Sequence, residues 1–481
     1  MKMPKNHPPG QMRILLMLSL RDNKNKDFFY VPDLGLLYLA TALKASFGEK
    51  VQIKILVDNL HMSENDFGEF LVFNDFDLVG IKVFSSTLRG AQKTIRLLKH
   101  YLPHATIIAG GPHVNALPKE ALNEHEIDYA IHGDGEEGLV KFIDLFIDGL
   151  ISPENLKSIP GLIWRQNYDI CVNDKAILRD LDCFGIPDWS CMSPSSFPRF
   201  KTRSCRSYPA AAISITRGCP SRCIFCSESG SPFRKRDLGK VMNELNILKR
   251  KHGVKEFHIL DNNCASHKDY FLAFCKELLA HRIDLPWRIP GGICINSIDE
   301  EMCAFMKKSG CYQIWVGIEN GSQRILNMMR KGITVTEIGK TIKMVKRYKI
   351  LVGGWFILGY PGETDDDRKL TRDLALSLPL DYAKFTIFIP QPGSEMFERL
   401  KEEGKITDLK EVLFCGDNQF ENNLTNLSPQ QLRKVHRNFS LSFYARPRVI
   451  THLLKEYSSP REIAYLVKNA NQFVFSKTQS W

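Results

Sequence analysis

The 481-residue chain has no cysteine before Cys171 and no block of basic residues interleaved with aromatics. It also has no internal repeat, no low-complexity tract and no apolar run of membrane-spanning length. Each absence narrows the field. A membrane helix needs about 20 consecutive apolar residues. The N-terminal MKMPKNHPPGQMRILLMLSL offers only a short apolar stretch before Arg21 and no cleavage pattern. No transmembrane segment or secretory leader is therefore expected, and the chain is expected in the cytoplasm. There its thirteen cysteines read as thiols, metal ligands or small buried hydrophobes, not as a disulfide framework. Without a basic–aromatic block, nucleic acid is not an expected partner. The net charge of +11 suits phosphates, anionic cofactors or an anionic surface and leaves the fold open.

What is present is an ordinary globular composition, 43% hydrophobic and 25% charged, on a chain too long for one core. The first part alternates strand and helix patterns. Strands are expected at Met12–Ser19, Val51–Val57, Leu78–Phe84, Thr106–Ala109 and Tyr129–Ile131. Helices are expected at Gly35–Phe47 and Leu88–Leu102, and from Gly133-Asp134-Gly135 to about Phe146. Short loops between them argue a doubly wound parallel sheet, whose ligands sit beyond the carboxyl ends of the strands. The segments there are Ser85-Ser86-Thr87 and Gly110-Gly111-Pro112-His113. Residues 151–205, rich in Pro153, Pro160, Gly161, Pro187, Pro194 and Pro198, read as a linker holding one hairpin near Leu162–Val172.

A second series occupies residues 206–400. Strands are expected at Ala211–Thr216, Glu256–Leu260, Trp287–Pro290, Gln313–Ile318, Gly353–Leu358 and Ala383–Phe388, with helices between them. Six such units are too few for a closed eight-unit barrel and match an open one. Polar and glycine-rich residues recur at the strand ends, where such barrels do chemistry. Residues 401–481 read as helical and basic.

After the first strand of that series comes Cys219-Pro220-Ser221-Arg222-Cys223-Ile224-Phe225-Cys226. Three thiolates at C-x-x-x-C-x-x-C spacing fit a [4Fe–4S] cube with one iron left open to bind a small molecule. Structural zinc is the alternative and would want a fourth protein ligand, with Cys205 or Cys191 as candidates.

Here the chain resembles the radical S-adenosylmethionine (SAM) superfamily, whose local signature places an aromatic residue where Phe225 stands. The resemblance implies that Cys219, Cys223 and Cys226 hold the cluster and that the open iron chelates the amine and carboxylate of SAM. Reductive cleavage then yields a 5′-deoxyadenosyl radical, with an external flavodoxin- or ferredoxin-type electron donor. Gly317-Ile318-Glu319-Asn320-Gly321-Ser322 is similar to the family's GIESGS stretch, and Glu319 would face SAM. Leu358-Gly359-Tyr360-Pro361-Gly362-Glu363-Thr364 is similar to its glycine–proline turn, and Asp261-Asn262-Asn263 to its DDNF stretch. Asn263 and Gly359 are thereby candidate cofactor contacts. Asn320 and Cys294 depart from the family pattern, which more often has Ser and Arg there.

The N-terminal motifs Pro32-x-x-Gly35, Asp77–Ile81, Gly110–His113 and Gly133–Glu137 are similar, in order, to the cobalamin-binding domains fused to such barrels. C-terminal Leu427-Ser428-Pro429 and Phe443–Pro447 look like the same subclass, which includes anaerobic Mg-protoporphyrin ester cyclases, hopanoid-modifying enzymes and C-methyltransferases. The resemblance implies a flavodoxin-like cobalamin-binding domain over residues 10–150, with Ser85, Ser86, Thr87, Gly110, Gly111 and His113 along the nucleotide tail. The D-x-H-x-x-G cobalt-ligand motif is absent, since Asp58 and His61 have the wrong spacing. Methylation of an unactivated carbon is the expected reaction on a small-molecule, lipid or peptide substrate. Radical cyclisation without methyl transfer and a non-catalytic iron–sulfur carrier or sensor are the alternatives. A tRNA methylthiotransferase would want N-terminal cluster cysteines that this chain lacks. A short helix near Arg461–Lys468 is a candidate for lipid contact or simple packing.

Overall fold

The computed structural model describes residues 11–19, 33–57, 62–122, 126–194, 205–406 and 424–456. Pro32, the Asp58–His61 segment and the Arg461–Lys468 helix lie outside them. The chain divides into two compact units, Met1–Pro198 and Arg199–Trp481.

The first unit is built on β1 (Met12–Leu18), β2 (Val51–Leu56), β3 (Leu78–Lys82), β4 (Thr106–Gly110) and β5 (Tyr129–Ile131). They pair in parallel in the order β2-β1-β3-β4-β5, the flavodoxin-like winding whose ligand crevice opens between β1 and β3. Apart from Arg13, which is buried in a salt bridge to Asp75, strand β1 is an apolar run, as expected of a strand covered on both faces. Helices α1 (Leu34–Phe47), α2 (Glu64–Asn74), α3 (Leu88–Tyr101), α4 (Pro112–Ala116) and α5 (Gly135–Ile147) connect the strands. The sequence pattern misses α2, because most of its apolar residues run together as Phe70-Leu71-Val72-Phe73 and do not form a helical stripe. Its start is fixed instead by a capping box between Ser63 and Asp66.

The hairpin near Leu162–Val172 does not sit in a linker. After a one-turn helix α6 (Pro153–Leu156), β6 (Leu162–Gln166) pairs antiparallel with β5, and β7 (Asp169–Val172) pairs with β6. The sheet therefore has seven strands and is mixed. Buried Leu162, Ile163 and Trp164 explain the attachment, since they cover an edge that β5 would otherwise leave open.

In the second unit β8 (Ala210–Ile213), a ribbon of β9 (Thr216–Arg217) with β10 (Arg234–Lys235), α7 (Leu238–Lys251), β11 (Glu256–Ile259), α8 (Lys268–Ala280), β12 (Trp287–Ile293), α9 (Glu300–Lys308) and β13 (Cys311–Glu319) follow in order. Then come α10 (Gln323–Met328), α11 (Val335–Arg347), β14 (Leu351–Leu358), α12 (Asp365–Ser377), β15 (Tyr382–Ile387) and α13 (Glu395–Glu402). Six strands, β8, β11, β12, β13, β14 and β15, pair in parallel in chain order. This is the open (β/α)6 arrangement. The expected strand Ala211–Thr216 is split: β8 ends at Ile213, and Thr216-Arg217 turns out of the sheet to pair with Arg234-Lys235.

Packing follows the two-residue strand period. Phe257 and Trp287 are register partners, and Trp287 meets Phe271 and Phe274 of α8 at ring-centroid distances of 6.3 and 5.9 Å. Each buried aromatic of this kind is worth about 1.5–3 kcal/mol in area removed from water. Helix α14 (Pro429–Tyr444) closes the β15 edge: Tyr444 Oη donates to Ala383 O at 2.7 Å, and His436 Nε2 lies 2.8 Å from Phe385 O. Helix α15 (Pro447–Glu456) follows. Among the described residues no helix is long and apolar enough to cross a membrane.

Candidate active site

The parallel strands of the second unit place their carboxyl ends together, and the cysteine loop grows from that end. Its base is the β9–β10 ribbon, and Gly218 opens it at φ +90°. A Cβ on Gly218 would overlap Pro232 O, so only glycine lets the two arms of the loop cross this closely. Within the loop Cys219 N donates to Ser231 Oγ at 2.9 Å, and Ser231 Oγ donates to Glu228 O at 2.8 Å. Gly230 N and Ser229 Oγ both donate to Ser221 O, at 2.8 and 2.9 Å. The floor is pinned from two sides, by Ile224 N donating to Met329 O at 3.1 Å and Met396 N donating to Ile224 O at 2.8 Å. Ile224 itself is buried in a cluster with Ile325, Met329, Tyr360, Phe388 and Phe397, against which Phe225 packs.

Cys223 is buried and Cys219 and Cys226 are half-buried, all three as free thiols. Burial pushes the Cys223 thiol up to about 11 against the opposing pull of Lys331, and burial also raises Cys226. Such thiols stay protonated unless a metal displaces the proton. A soft donor set on one short loop, enclosed but with no disulfide or thiol–carbonyl lock among its three cysteines, fits an iron–sulfur cluster. It also fits the family's three-ligand rule better than it fits zinc. Of the two candidates for a fourth zinc ligand, Cys205 is at the opposite, amino end of the strands. There it donates to Ser207 O at 2.8 Å beside Glu256. That carboxylate is saturated: Arg206 N and Ser207 N donate to Oε2 at 2.8 Å, Tyr312 Oη donates to Oε1 at 2.6 Å, and His258 Nε2 lies 2.8 Å from Oε1. Cys191 is in the first unit, with its thiol donating to Asp188 Oδ2 at 3.7 Å.

Beside the loop stands a charge pair that the sequence pattern did not reveal. Glu319 ends β13 in the left-handed region, φ +64°, after a register shift at Gly317. Its Oε1 accepts from Lys331 Nζ at 2.6 Å, and both side chains are less than 10% exposed. A Cβ on Gly317 would fall on Glu319 Oε1 and within 2.7 Å of Lys331 Nζ, so this glycine makes room for the pair. Lys331 is returned to Glu319 by the turn that ends α10, where Arg330 has φ +49° and Lys331 N donates to Leu326 O at 3.0 Å. Burial disfavours the ammonium, but the Glu319 carboxylate, together with the neighbouring Cys223 and Cys294 side chains, holds its pKa above the ordinary lysine range. Lys331 Nζ also stands 5.9 Å from the centre of the Phe225 ring. No local motif marks Lys331. Only a turn folding back across twelve residues brings it to Glu319.

The other named residues divide. Asn263 is buried at the end of β11, where its Oδ1 accepts from Cys294 N at 3.5 Å. Asp261 accepts from Ile215 N, Thr216 N and Thr216 Oγ1, tying β11 to the root of the cysteine loop, and burial raises its pKa to about 6. Gly359 stands at the end of β14 with φ +76°, but its N–H donates to Glu363 Oε2 at 2.7 Å. Asn320 donates through Nδ2 to Glu363 Oε1 at 3.0 Å and accepts through Oδ1 from Ser322 N and Thr371 Oγ1, both at 2.9 Å. The Ser-to-Asn departure is thus a structural tie between two strand ends, and it leaves Glu319 as the polar group of that stretch nearest the thiols.

In the first unit the structure brings Ser85, Ser86, Thr87, Gly110, Gly111 and His113 to the carboxyl ends of β3 and β4. Val83 N donates to Gly110 O at 2.9 Å, and His113 N donates to Val83 O at 3.1 Å. Gly111 takes φ +99°, and a Cβ there would lie 3.0 Å from Val83 O. Thr87 Oγ1 meets Ser19 Oγ at 3.0 Å, joining the ends of β1 and β3 across the crevice. His113 is buried with Nδ1 3.1 Å from Ser85 Oγ, and burial lowers its pKa to about 4, so the ring is neutral at pH 7. A hydroxyl- and glycine-lined rim at the β1–β3 switch fits the phosphorylated tail of a nucleotide-like cofactor.

These features agree with the comparisons. A model of the radical SAM superfamily matches residues 213–375, and a B12 binding domain model matches residues 23–143. Uncharacterized methyltransferase PH0819 of Pyrococcus horikoshii is 28% identical over 91% of this chain and 94% of its own length. An anaerobic magnesium-protoporphyrin IX monomethyl ester cyclase of Cereibacter sphaeroides is 26% identical over 80% of this chain and 62% of its own. The radical SAM methyltransferase TsrM of Kitasatospora setae, solved with cobalamin and a [4Fe–4S] cluster, shares the fold at a TM-score of 0.67 and 19% identity, over 82% of this chain and 75% of that one. The cobalamin-dependent radical SAM enzyme OxsB, solved with aqua-cobalamin, does so at a TM-score of 0.71 and 14% identity, over 96% and 71%. Residues 213–375 thus form a radical SAM domain and residues 23–143 a B12 binding domain, the domains that take a [4Fe–4S] cluster with SAM and cobalamin.

Proposed function

We propose that this chain is a cobalamin-dependent radical SAM methyltransferase that methylates an unactivated carbon of a small-molecule, lipid or peptide substrate. The carrying observation is the pairing, in one chain, of a flavodoxin-wound sheet with a hydroxyl-lined crevice and an open barrel with a three-thiol loop at its strand ends. A relative named as a methyltransferase, aligned over nearly the full length of both chains, supports the same reading. When bound, the cofactors would supply the hard chemistry, a carbon-centred radical from the cluster with SAM and a methyl carrier in cobalamin.

The chain's own residues have the positioning roles. Cys219, Cys223 and Cys226 hold three irons, and the Ser231 and Ser221 hydrogen bonds fix the loop that spaces them. Phe225 and the Ile224 cluster keep water from the loop floor. Glu319, at the end of β13, and Asn263, beyond the end of β11 on the other side of β12, are polar groups available to the amine or ribose of SAM, with Lys331 fixing the Glu319 carboxylate. Gly359, its amide already engaged, shapes the wall. Ser85, Ser86, Thr87, Gly110 and Gly111 bind the cobalamin tail. His113 hydrogen-bonds within that rim as a neutral ring. Electrons come from an external flavodoxin- or ferredoxin-type donor. Cyclisation without methyl transfer is the second reading, favoured by the likeness to the ester cyclase.

Anaerobic reconstitution with SAM, cobalamin and a one-electron reductant tests this. The expected outcome is 5′-deoxyadenosine from the wild type and none from Cys223→Ala, which also loses the cluster absorbance. With substrate, a mass gain of one methylene unit supports methylation, and an unchanged or dehydrogenated skeleton supports cyclisation. A protein loaded with zinc instead of iron would overturn the reading.

A further inference from the structure

The cysteine loop has a fourth thiol beside it. Cys294 lies just past the end of β12, on the same rim as the loop, and its Sγ is 3.6 Å from Ser221 Oγ, between the first two loop cysteines in sequence. It is half-buried and free. Its position is built. β12 slips register between Ile289 and Ile293, Gly292 takes φ +106°, and Cys294 N donates to Asn263 Oδ1 at 3.5 Å. The result is that Cys294 stands among the charged and sulfur neighbours of the loop, near Cys223 and the buried Lys331 ammonium. Other buried cysteines of this unit, Cys205, Cys264, Cys275, Cys303 and Cys311, are packed away as neutral thiols, pushed up by burial.

We propose that Cys294 is an exchangeable fourth ligand, which caps the open iron in the resting protein and gives way to SAM. This rests on the cluster reading above. Binding of Cys294 forms one Fe–S bond and releases the thiol proton to water. Displacement breaks that bond, and the departing thiolate takes a proton back; no electron moves in either direction. The coordination explains why a residue that packs against the cluster loop is a cysteine here, and why glycine freedom is used at Gly292 to aim it.

The test uses the full chain, reconstituted anaerobically with 57Fe, as wild type, Cys294→Ala and Cys294→Ser. The readout is the Mössbauer spectrum of the oxidised cluster, with the electron paramagnetic resonance signal of the three-iron cluster formed by mild ferricyanide. Without SAM the wild type is expected to show four like, thiolate-ligated irons, and to resist loss of the fourth iron at least about tenfold longer than Cys294→Ala, the scale set by loss of a metal ligand's support. Cys294→Ala is expected to show one distinct iron from the start, and Cys294→Ser a distinct oxygen-ligated iron that still resists oxidation. Adding SAM to the wild type is expected to produce the distinct iron. A distinct iron in the SAM-free wild type, identical to that of Cys294→Ala, would overturn the proposal. Failure of the cluster reading itself looks different: iron would be low in the wild type, or unchanged in Cys219→Ala, Cys223→Ala and Cys226→Ala.

Discussion

Two glycines of the cysteine loop share a backbone conformation and differ in the space around them, which makes them a controlled pair. Gly218 has φ +90° and Gly230 has φ +71°. An alanine at either pays about 1–2 kcal/mol for left-handed backbone. At Gly230 that is the whole cost, because a Cβ there meets nothing within 4 Å. At Gly218 the Cβ would overlap Pro232 O and lie 2.7 Å from Pro232 C, where ordinary contact begins near 3.4 Å. Both obstacles are main chain, so the arms of the loop must part by at least about 0.7 Å, and by more to clear the oxygen. The hydrogen bond from Cys219 N to Ser231 Oγ spans that gap at 2.9 Å and would break. Loss of a ligand's supporting shell typically lowers metal affinity 10–100-fold. Gly218→Ala should therefore bind iron and sulfide at least about tenfold more weakly than wild type, and Gly230→Ala should bind them normally while melting slightly lower. Iron and acid-labile sulfide per chain after anaerobic reconstitution, beside the thermal midpoint of the iron-free protein, decide it. Equal iron in the two variants would refute the argument that close approach, and not conformational freedom alone, makes Gly218 necessary.

Three further outcomes follow from other parts of the molecule. Lys331→Met should destabilise the iron-free protein by about 3–5 kcal/mol because it leaves Glu319 buried and unpaired. Adding Glu319→Gln should return much of that loss in denaturant midpoint. Asn320→Ser removes the Nδ2 donor to Glu363 and should cost about 1–3 kcal/mol on the same scale. His113 has a folded pKa near 4 against about 6.5 unfolded, so the unfolded chain binds the extra proton between those values. Its stabilisation is complete above pH 6.5 and is lost as pH falls towards 4, up to about 3 kcal/mol. His113→Gln should flatten the acid limb of the stability–pH profile by that amount, and an imidazole resonance titrating near 6.5 in the folded protein would refute it.

What could be read from the sequence, and what could not, follows the range of the forces involved. Parallel strands buried on both faces announce themselves as apolar runs, so Met12–Leu18 and Tyr129–Ile131 are legible within a residue. The cysteine spacing is legible because a single loop must present all three thiols. Helix Glu64–Asn74 is not, since the run Phe70–Phe73 blurs the buried Phe67 and Leu71 pair and a cap sets its start. The hairpin Leu162–Val172 shows its turn but not its partner, because antiparallel addition to β5 depends on an edge thirty residues away. Lys331 beside Glu319 and Cys294 beside Ser221 are hidden for the same reason: a left-handed turn brings in the one and a slipped strand the other. Asn320 reads as a departure from a motif until its partners Glu363 and Thr371 are seen.

The charges around the loop bear on when the cluster can accept an electron. Lys331 is the buried cation beside the thiols, but Glu319 already neutralises much of it at 2.6 Å. Reduction adds a negative charge to a site whose local medium screens poorly, where each charge counts several times its value in water. A fourth thiolate from Cys294 would make that step harder, and its replacement by SAM, whose sulfonium is positive, would make it easier. Ligand exchange at Cys294 thus ties electron entry from the external donor to the presence of SAM, so that a reduced cluster is not left to react with water or oxygen. Potentiometric titration of the cluster should show the midpoint rising when SAM is added to the wild type, and a smaller rise in Cys294→Ala, which starts higher. Equal rises in the two proteins would mean that the thiol beside Ser221 has no part in controlling reduction.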